Sequence, residues 1–152
     1  MKRRLRALLA LLRRDERGTS ALEFAIVAIP LMAFMFGILE FGRAIWIEEA
    51  LQSTATTVAR CMGLKLTGCA SSGTYSATLT SAYAITVAQQ WDVTLTTANI
   101  STTNATSCPG MTGSTSYALV TLTYPFSTVA ASLVPALASK NVTGQACYPI
   151  DP

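Results

Sequence analysis

The feature that most constrains this chain is an uncharged apolar run near its N-terminus, F-A-I-V-A-I-P-L-M-A-F-M-F-G-I-L from Phe24 to Leu39. As a helix, this run covers roughly 24 Å at about 1.5 Å per residue, and apolar character resumes after Glu40 as far as Ile47. A chain of 152 residues is too small to bury a helix that is apolar on every face. The run therefore predicts a transmembrane helix, spanning about residues 22–42, rather than the core helix of a soluble domain.

The charge of the chain is divided at this run. Residues 1–18 carry seven Lys or Arg and two acidic residues, whereas residues 19–152 carry four basic and six acidic residues. Because basic residues flank the cytoplasmic end of membrane helices, we expect a cytoplasmic N-terminus and an exported C-terminal part. A basic cluster that abuts an apolar run favours membrane orientation over nucleic-acid binding, so no nucleic-acid partner is expected.

The junction between the basic leader and the apolar run reads R-R-D-E-R-G-T-S-A-L-E-F. A secretory signal fits poorly, since the apolar stretch at residues 7–12 is short and R-R-D-E-R follows it instead of a small-residue cleavage site. The junction resembles the processing site of type IV prepilins, which implies that a membrane-embedded prepilin peptidase cuts between Gly18 and Thr19. Counted from Thr19, Glu23 is the fifth residue of the mature chain and Phe24 the sixth, as in that family.

The wider sequence over residues 14–60 resembles the TadE-like family, minor pilins or pseudopilins of the tight-adherence (Flp-type IVb) pilus. The resemblance is carried by G-T-S-A-L-E-F-A-I-V-A-I-P-L, F-G-I-L-E-F-G-R-A-I-W-I and A-L-Q-S-T-A-T-T-V-A-R. It implies a single-pass protein of the bacterial inner membrane that acts in pilus assembly and surface adherence and can be incorporated in an extracellular pilus. The implied partners are inner-membrane lipid, the prepilin peptidase, other pilins or pseudopilins, and the assembly machinery. The folded tail of about ninety residues, compared with the very short major Flp pilins, favours a minor component.

Two polar or helix-breaking positions stand out at the start of the span. A carboxylate in an apolar helix is costly in lipid unless it is paired. In pilins the amine released by cleavage, here on Thr19, faces the corresponding glutamate of a neighbour, so the resemblance implies charge pairing by Glu23. The alternative is a solvated Glu23 at the cytoplasmic boundary. Pro30 lacks a backbone N–H and is expected to kink or locally melt the helix.

The remaining residues predict an α+β protein: a long N-terminal transmembrane helix followed by a small exported domain with a short helix and a three-stranded antiparallel sheet. Apolar residues at helical spacing extend the first helix to Cys61 or Met62, and Gly63 should end it. The chain then divides into a basic cytoplasmic leader (1–18), a long helix (19–62) and an extracytoplasmic domain (63–152). In that domain we expect a loop over 67–73, a helix over 79–91, strands over 93–101, 117–124 and 141–148, with Pro125 ending the second strand, and a weak helix or loop over 127–139.

Four cysteines, Cys61, Cys69, Cys108 and Cys147, lie beyond the span, where the oxidising periplasm favours disulfides. Three pairings are possible, and Cys61–Cys69 with Cys108–Cys147 is preferred. A zinc site is the alternative, but there is no C-x-x-C spacing and no histidine, so no metal is expected. The lack of histidine also removes the usual general base. We expect no enzyme, no catalytic residue, no cofactor and no small-molecule substrate.

Two functions are compatible with these features. The first is a minor pilin or pseudopilin that a prepilin peptidase processes. The second is an unprocessed single-pass membrane protein whose periplasmic domain binds a partner. Both place the N-terminus in the cytoplasm and the C-terminal domain in the periplasm, and they differ in whether the chain is cut after Gly18.

Overall fold

A computed structural model describes residues 19–105, 107–108, 116–128 and 140–150. The elements in chain order are helix α1 (Thr19–Gly63), strands β1 (Ala70–Ser71) and β2 (Thr74–Tyr75), helix α2 (Ala77–Gln89), a 3₁₀ turn (Thr97–Asn99), and strands β3 (Ile100–Ala105), β4 (Tyr117–Phe126) and β5 (Lys140–Pro149). The α+β class predicted from the sequence is confirmed, with one long apolar helix, one short helix and a three-stranded antiparallel sheet. The predicted leader and most of the segment 127–139 lie outside the described residues.

The chain forms two compact units, residues 1–39 and residues 40–152, and the division falls inside α1. In the first, the N-terminal unit, the described residues are helical throughout. The second, the C-terminal unit, contains the helical segment Glu40–Gly63, together with α2 and both sheets. The predicted division into a leader (1–18), a long helix (19–62) and an extracytoplasmic domain (63–152) concerns position relative to the membrane, and it stays a prediction.

The core of the C-terminal unit is built from the segment Glu40–Gly63 of α1, helix α2 and one face of the three-stranded sheet. Side chains along β4 alternate between buried and more exposed positions, as expected for a strand with one face on a core. On α1, buried residues recur at helical spacing, and many are alanines, which allow close approach of the neighbouring elements. The fully buried apolar residues include Leu51, Ala55, Val58, Ala84, Ala118, Val120 and Leu122.

The sheet order is β3-β4-β5, so β4 is central and β5 forms an edge. Strand β5 approaches α1 closely at Gly144: a Cβ placed there would lie 2.5 Å from the backbone carbonyl carbon of Leu51 and 2.8 Å from the backbone nitrogen of Gln52. Contacts between carbon atoms are normally about 3.5 Å or longer. Glycine is therefore needed at this position because the helix backbone occupies the space of a side chain.

The first predicted strand, 93–101, is wrong over most of its length, since pairing with β4 begins only at Ile100. Val93 and Leu95 are buried and the threonines between and after them are exposed, so the alternation in the sequence is real. The backbone there has no strand partner, and the 3₁₀ turn that follows is closed by the Asn99 side chain, whose Oδ1 accepts a hydrogen bond from the Thr96 N–H at 2.9 Å. The alternation came from side-chain burial rather than from a β-ladder.

The prediction that Pro125 ends the second strand is also wrong, because β4 continues to Phe126. Pro125 lies opposite Asn141 of β5, while β3 starts opposite Leu122 and does not extend to this end of β4. A proline is tolerated in a strand where its nitrogen faces no partner strand. The stretch of β4 beyond the end of β3 offers such a place.

The shorter elements differ from the prediction by a few residues. Helix α1 includes Gly63, and α2 begins and ends two residues before the predicted bounds. Ser76 precedes α2, and its hydroxyl accepts a hydrogen bond from the Leu79 N–H at 3.5 Å. The predicted loop 67–73 contains a tight hairpin of β1 and β2, with Ser72 and Gly73 both at positive φ, 52° and 76°. Two successive positive φ angles are typical of a two-residue hairpin turn.

Candidate functional site

The N-terminal unit presents apolar side chains on all sides of its helix. From Ser20 to Leu39 every residue is exposed except Ala28 and Gly37, which are partly shielded. Phe24 is 75% exposed and Phe34 68%. Each square ångström of apolar surface in water costs about 25 cal/mol, so this helix requires lipid or other helices around it.

By length and composition, α1 can cross a membrane. It is the one such helix within the described residues. Its most apolar stretch of 18 residues has a mean hydropathy of 2.3, and no residue of this stretch is buried. The sequence-based prediction of a membrane-anchoring helix is consistent with this surface.

The predicted cleavage site lies at the limit of the described residues. Gly18 is outside them, and Thr19 is the first residue of α1. Cleavage between these two residues stays a prediction.

Glu23 is the only ionisable residue between Thr19 and Leu39. Its side chain is exposed in the second turn of α1, and within the described part of the chain no cation is paired with it. The free N–H groups at a helix start stabilise a nearby carboxylate by about 0.3–1 kcal/mol, whereas a charge in the middle of a membrane costs about 2.5–3.5 kcal/mol. The helix alone therefore cannot compensate this carboxylate in an apolar environment, and a cation from elsewhere is needed.

Phe24 and Pro30 lie on the same exposed helix. Phe24 directly follows Glu23 and is among the most exposed aromatic side chains. Helix α1 is continuous through Pro30, which lacks the N–H that would bond to the carbonyl of Ile26. No local interruption of the helix is present at Pro30, and a bend there stays a prediction.

At the start of the C-terminal unit, Arg43 connects α1 to the end of β4. Its Nη2 donates a hydrogen bond to the carbonyl of Ser127 at 2.8 Å, and its guanidinium carbon lies 4.9 Å from the centre of the Phe126 ring. Its Nη1 also lies 3.7 Å from Oε1 of Glu40, whose side chain is only 11% exposed. This arrangement fixes the first turns of the segment against the sheet.

A second polar contact, which sequence reasoning missed, joins α1 to the edge strand β5. Gln52 Nε2 donates to the carbonyl of Gln145 at 2.9 Å, and the Gln145 N–H donates to Gln52 Oε1 at 3.2 Å. One carboxamide thus bonds to both backbone groups of a residue that face away from β4, as a peptide unit of a further strand would. No local feature of the sequence indicates this contact.

This contact shows which residue pairs of the β4–β5 ladder are hydrogen-bonded to each other and which are not. Because Gln145 directs its backbone groups to Gln52, the pair Thr121 and Gln145 is not hydrogen-bonded across the ladder. Pro125, four residues from Thr121, occupies the same kind of pair, so its nitrogen faces away from β5. This explains why β4 accommodates a proline.

The four cysteines form two disulfides, Cys61–Cys69 and Cys108–Cys147, which is the pairing preferred from the sequence. The first joins the last turn of α1 to the residue before β1. The second joins the segment after β3 to β5 across a separation of 39 residues. Together they brace the far end of α1 and the edge strand of a small core.

The described residues contain no group of three or more His, Cys, Asp or Glu side chains that could hold a metal ion. A groove of about 340 Å³ lies between α1 and the start of β5, and its titratable side chains are Glu48 and Lys140. A single carboxylate and a single amine do not form a nucleophile with an oriented base. The geometry of this groove suggests no catalytic constellation.

A match to a family model covers part of the chain. The family model described as TadE-like protein matches residues 18–60, a segment that includes Glu23, Phe24 and Pro30 and ends three residues before the end of α1. No curated protein and no solved structure matches the chain. The resemblance predicted from the sequence is therefore confirmed over residues 18–60, where the chain is similar to the TadE-like family.

Proposed function

We propose that this protein is a minor pilin or pseudopilin of a tight-adherence pilus, processed by a prepilin peptidase between Gly18 and Thr19 and active in pilus assembly and surface adherence. The observation that supports this proposal most is the coincidence of three features in one segment. They are the TadE-like match over residues 18–60, a glutamate five residues after Gly18, and a helix exposed and apolar on all sides.

The proposed assembly step exchanges lipid contacts of the helix for contacts with sister helices. Lipid tails are about as apolar as leucine side chains, so this exchange has little hydrophobic driving force. Charge and shape then decide the register between subunits. Glu23 is the one charge available on the helix surface before Glu40.

In this proposal the new amine of Thr19 pairs with Glu23 of a neighbouring subunit. Two opposite charges about 4 Å apart attract by about 4 kcal/mol at an effective dielectric constant near 20, and removing a charge from water costs a similar amount. The pair therefore offsets the cost of placing each group among apolar helices. Without the released amine, Glu23 would have to find another cation or stay at the membrane surface.

The C-terminal unit has a structural role in this proposal rather than a catalytic one. Cys61–Cys69 ties the end of α1 to the residue before β1, and Cys108–Cys147 ties β5 to the segment after β3. The contact between Gln52 and Gln145 holds β5 against α1. A rigid unit of this kind can be displayed outside the membrane by the helix and carried with it. Its proposed partners are other pilins or pseudopilins and the assembly machinery.

The processing step is tested by intact-mass measurement of the full chain extracted from membranes, with and without its cognate prepilin peptidase. We expect a mature chain that begins at Thr19 when the peptidase is present. A Gly18→Leu variant should keep the leader, and Glu16→Gln, which changes a leader charge without altering the cut bond, should be processed normally. Recovery of the unsubstituted chain with its full leader, in cells where the peptidase is active, would leave the unprocessed membrane-anchored protein as the better account.

The pairing step is tested with Glu23→Gln, which keeps the size of the side chain and removes its charge. We expect normal processing but a decrease of about tenfold or more in recovery with sheared surface pili, since each 1.4 kcal/mol of lost pairing changes an equilibrium tenfold. Glu48→Gln is the matched control, because this glutamate is exposed on the same helix in the C-terminal unit. Equal recovery of the two variants would contradict charge pairing by Glu23.

A further inference from the structure

The two tryptophans of the chain meet on the surface of the C-terminal unit. The ring centres of Trp46 in α1 and Trp91 after α2 lie 5.8 Å apart with an angle of 63° between the rings, an edge-to-face arrangement. Trp46 Nε1 donates a hydrogen bond to the carbonyl of Trp91 at 3.3 Å. Yet Trp46 remains 57% exposed and Trp91 36% exposed. An ordered pair of large aromatic rings is therefore left on the surface.

Trp91 is held in place by the turn that ends α2. Asp92 has a φ of 60°, its N–H bonds to the carbonyl of Gln89 at 3.1 Å, and the N–H of Val93 bonds to the carbonyl of Ala88 at 3.1 Å. These two bonds form a Schellman turn, and the accompanying apolar contact is supplied by Val93 and Ala88, which are both buried. The core thus fixes the turn, and the turn fixes Trp91 beside Trp46.

Two further apolar side chains are exposed on the turns of α1 that precede Trp46. Phe41 is 59% exposed and Ile45 46% exposed, and they lie four residues apart on one face of the helix. We call Phe41, Ile45, Trp46 and Trp91 the tryptophan patch. None of its four side chains is charged, and it begins where the predicted span of about residues 22–42 ends.

We propose that the tryptophan patch seats the C-terminal unit in the headgroup layer of the membrane, in contact with zwitterionic lipid. The inference rests on the proposed function in one respect, which is that α1 crosses the membrane. In the sequence, Phe41 and Ile45 follow the apolar run that ends at Leu39 by two and six residues, so lipid is the partner expected to contact the residues just before them. A lipid surface is thus favoured over a separate protein partner.

The hydrogen-bonding state of the two indoles fits this environment. The Trp46 N–H is already bonded within the protein, so the ring tolerates a poorly hydrated position. The Trp91 N–H has no partner among the residues that the structure describes, and the headgroup layer supplies both water and lipid oxygens as acceptors. Indoles concentrate at membrane interfaces for this reason, with an apolar ring and a polar N–H.

The charges nearest in sequence to the patch indicate that anionic lipid is not required. Glu40 and Arg43 lie beside Phe41 and Ile45 and are paired with each other, and Asp92 follows Trp91. Glu48 and Glu49 follow Trp46 by two and three residues and are both exposed. Together these residues give one cation against four anions, without a basic cluster that would attract an anionic surface. The contact is therefore assigned to aromatic and apolar insertion.

The test uses tryptophan fluorescence of the full chain in phosphatidylcholine vesicles, because the chain has only two tryptophans. Trp46→Phe leaves Trp91 as the single emitter, and Trp91→Phe leaves Trp46. In vesicles whose phosphatidylcholine is brominated near the headgroup end of the acyl chains, we expect both variants to lose most of their emission. Aqueous iodide should quench Trp91 far less in vesicles than in the denatured chain.

A matched control places the emitter at the other end of the helical segment. Leu66→Trp in a chain that also carries Trp46→Phe and Trp91→Phe reports from an exposed site after the end of α1. Along the helix, Gly63 lies roughly 26 Å from Trp46 at about 1.5 Å per residue. We expect the emission of the Leu66→Trp variant to be quenched by iodide and unaffected by brominated lipid.

The outcomes separate the inference from the proposed function. Chains that fail to float with vesicles would overturn both, because α1 would then not be in the membrane. Chains that float while Trp91 stays accessible to iodide and insensitive to brominated lipid would overturn the inference alone, as would equal lipid quenching of Leu66→Trp. If a tryptophan variant misfolds, the unsubstituted chain still tests the inference. Brominated lipid should remove most of the combined emission of its two indoles.

Discussion

The contact between Gly144 and α1 allows a sharp prediction for the substitution Gly144→Ala. The added Cβ would lie 2.5 Å from the carbonyl carbon of Leu51, 2.7 Å from its oxygen and 2.8 Å from the nitrogen of Gln52. All three are backbone atoms of a helix, so no side-chain rotation relieves the contact. Strand β5 and α1 would have to separate by about 1 Å to restore a normal carbon–carbon distance.

The expected cost follows from that separation. Overpacking a core by one methyl group costs about 1–3 kcal/mol, and the upper end applies here because backbone rather than side chains must move. The shift also weakens the adjacent contact between Gln52 and Gln145. We expect a loss of about 3 kcal/mol, a large part of the stability of a small domain, and a decrease in Tm of about 15 °C.

The measurement is thermal and urea unfolding of the full chain in detergent micelles, followed through the emission of the tryptophan pair. Gly42→Ala is the matched control, since a Cβ there meets nothing within 4 Å and alanine favours a helix over glycine. Its stability should equal or exceed that of the unsubstituted chain. If Gly144→Ala unfolds at the same temperature as Gly42→Ala, then β5 does not cross α1 at this distance and the described core is incorrect.

Two further predictions concern the contacts that hold β5. Replacing Gln52 with alanine should lower the free energy of unfolding by about 1 kcal/mol and speed amide hydrogen exchange at Gln145. The amide of Ala146 faces β4 and should stay protected. Equal exchange at the two amides would contradict the edge contact. Replacing both cysteines of Cys108–Cys147 with serine should lower the free energy of unfolding by about 4 kcal/mol, because this disulfide closes a loop of 39 residues. The same change at Cys61–Cys69, which closes a loop of 8 residues, should lower it by about 2.5 kcal/mol. Urea unfolding of the two double variants gives the order, and a reversed order would refute the loop-length argument.

Much of the fold could be predicted from the sequence because its strongest signals are local. The apolar run up to Leu39 has no other physical solution than an exposed helix in lipid or among helices, and the alternation in β4 follows from one buried face. Residues 93–96 show the limit of that reasoning. Val93 and Leu95 alternate with exposed threonines in the manner of a strand, although their backbone pairs with nothing.

The contacts that depend on three-dimensional register could not be predicted. Nothing local marks Gly144 as a point where β5 touches α1, and nothing marks Gln52 as the residue that reaches the edge of β5. The tolerance of Pro125 likewise depends on β3 being shorter than β4 at one end. Each of these requires knowing which residues lie opposite one another, which a single sequence does not state.

The participation of α1 in the core determines where this protein can be divided in the laboratory. A fragment that starts after Gly63 would contain every strand but lack Leu51, Ala55 and Val58, which are fully buried. It would expose the face of the sheet that these residues cover and should aggregate. A water-soluble version must instead retain the chain from about Glu40, with the exposed apolar side chains of its first turns replaced by polar ones.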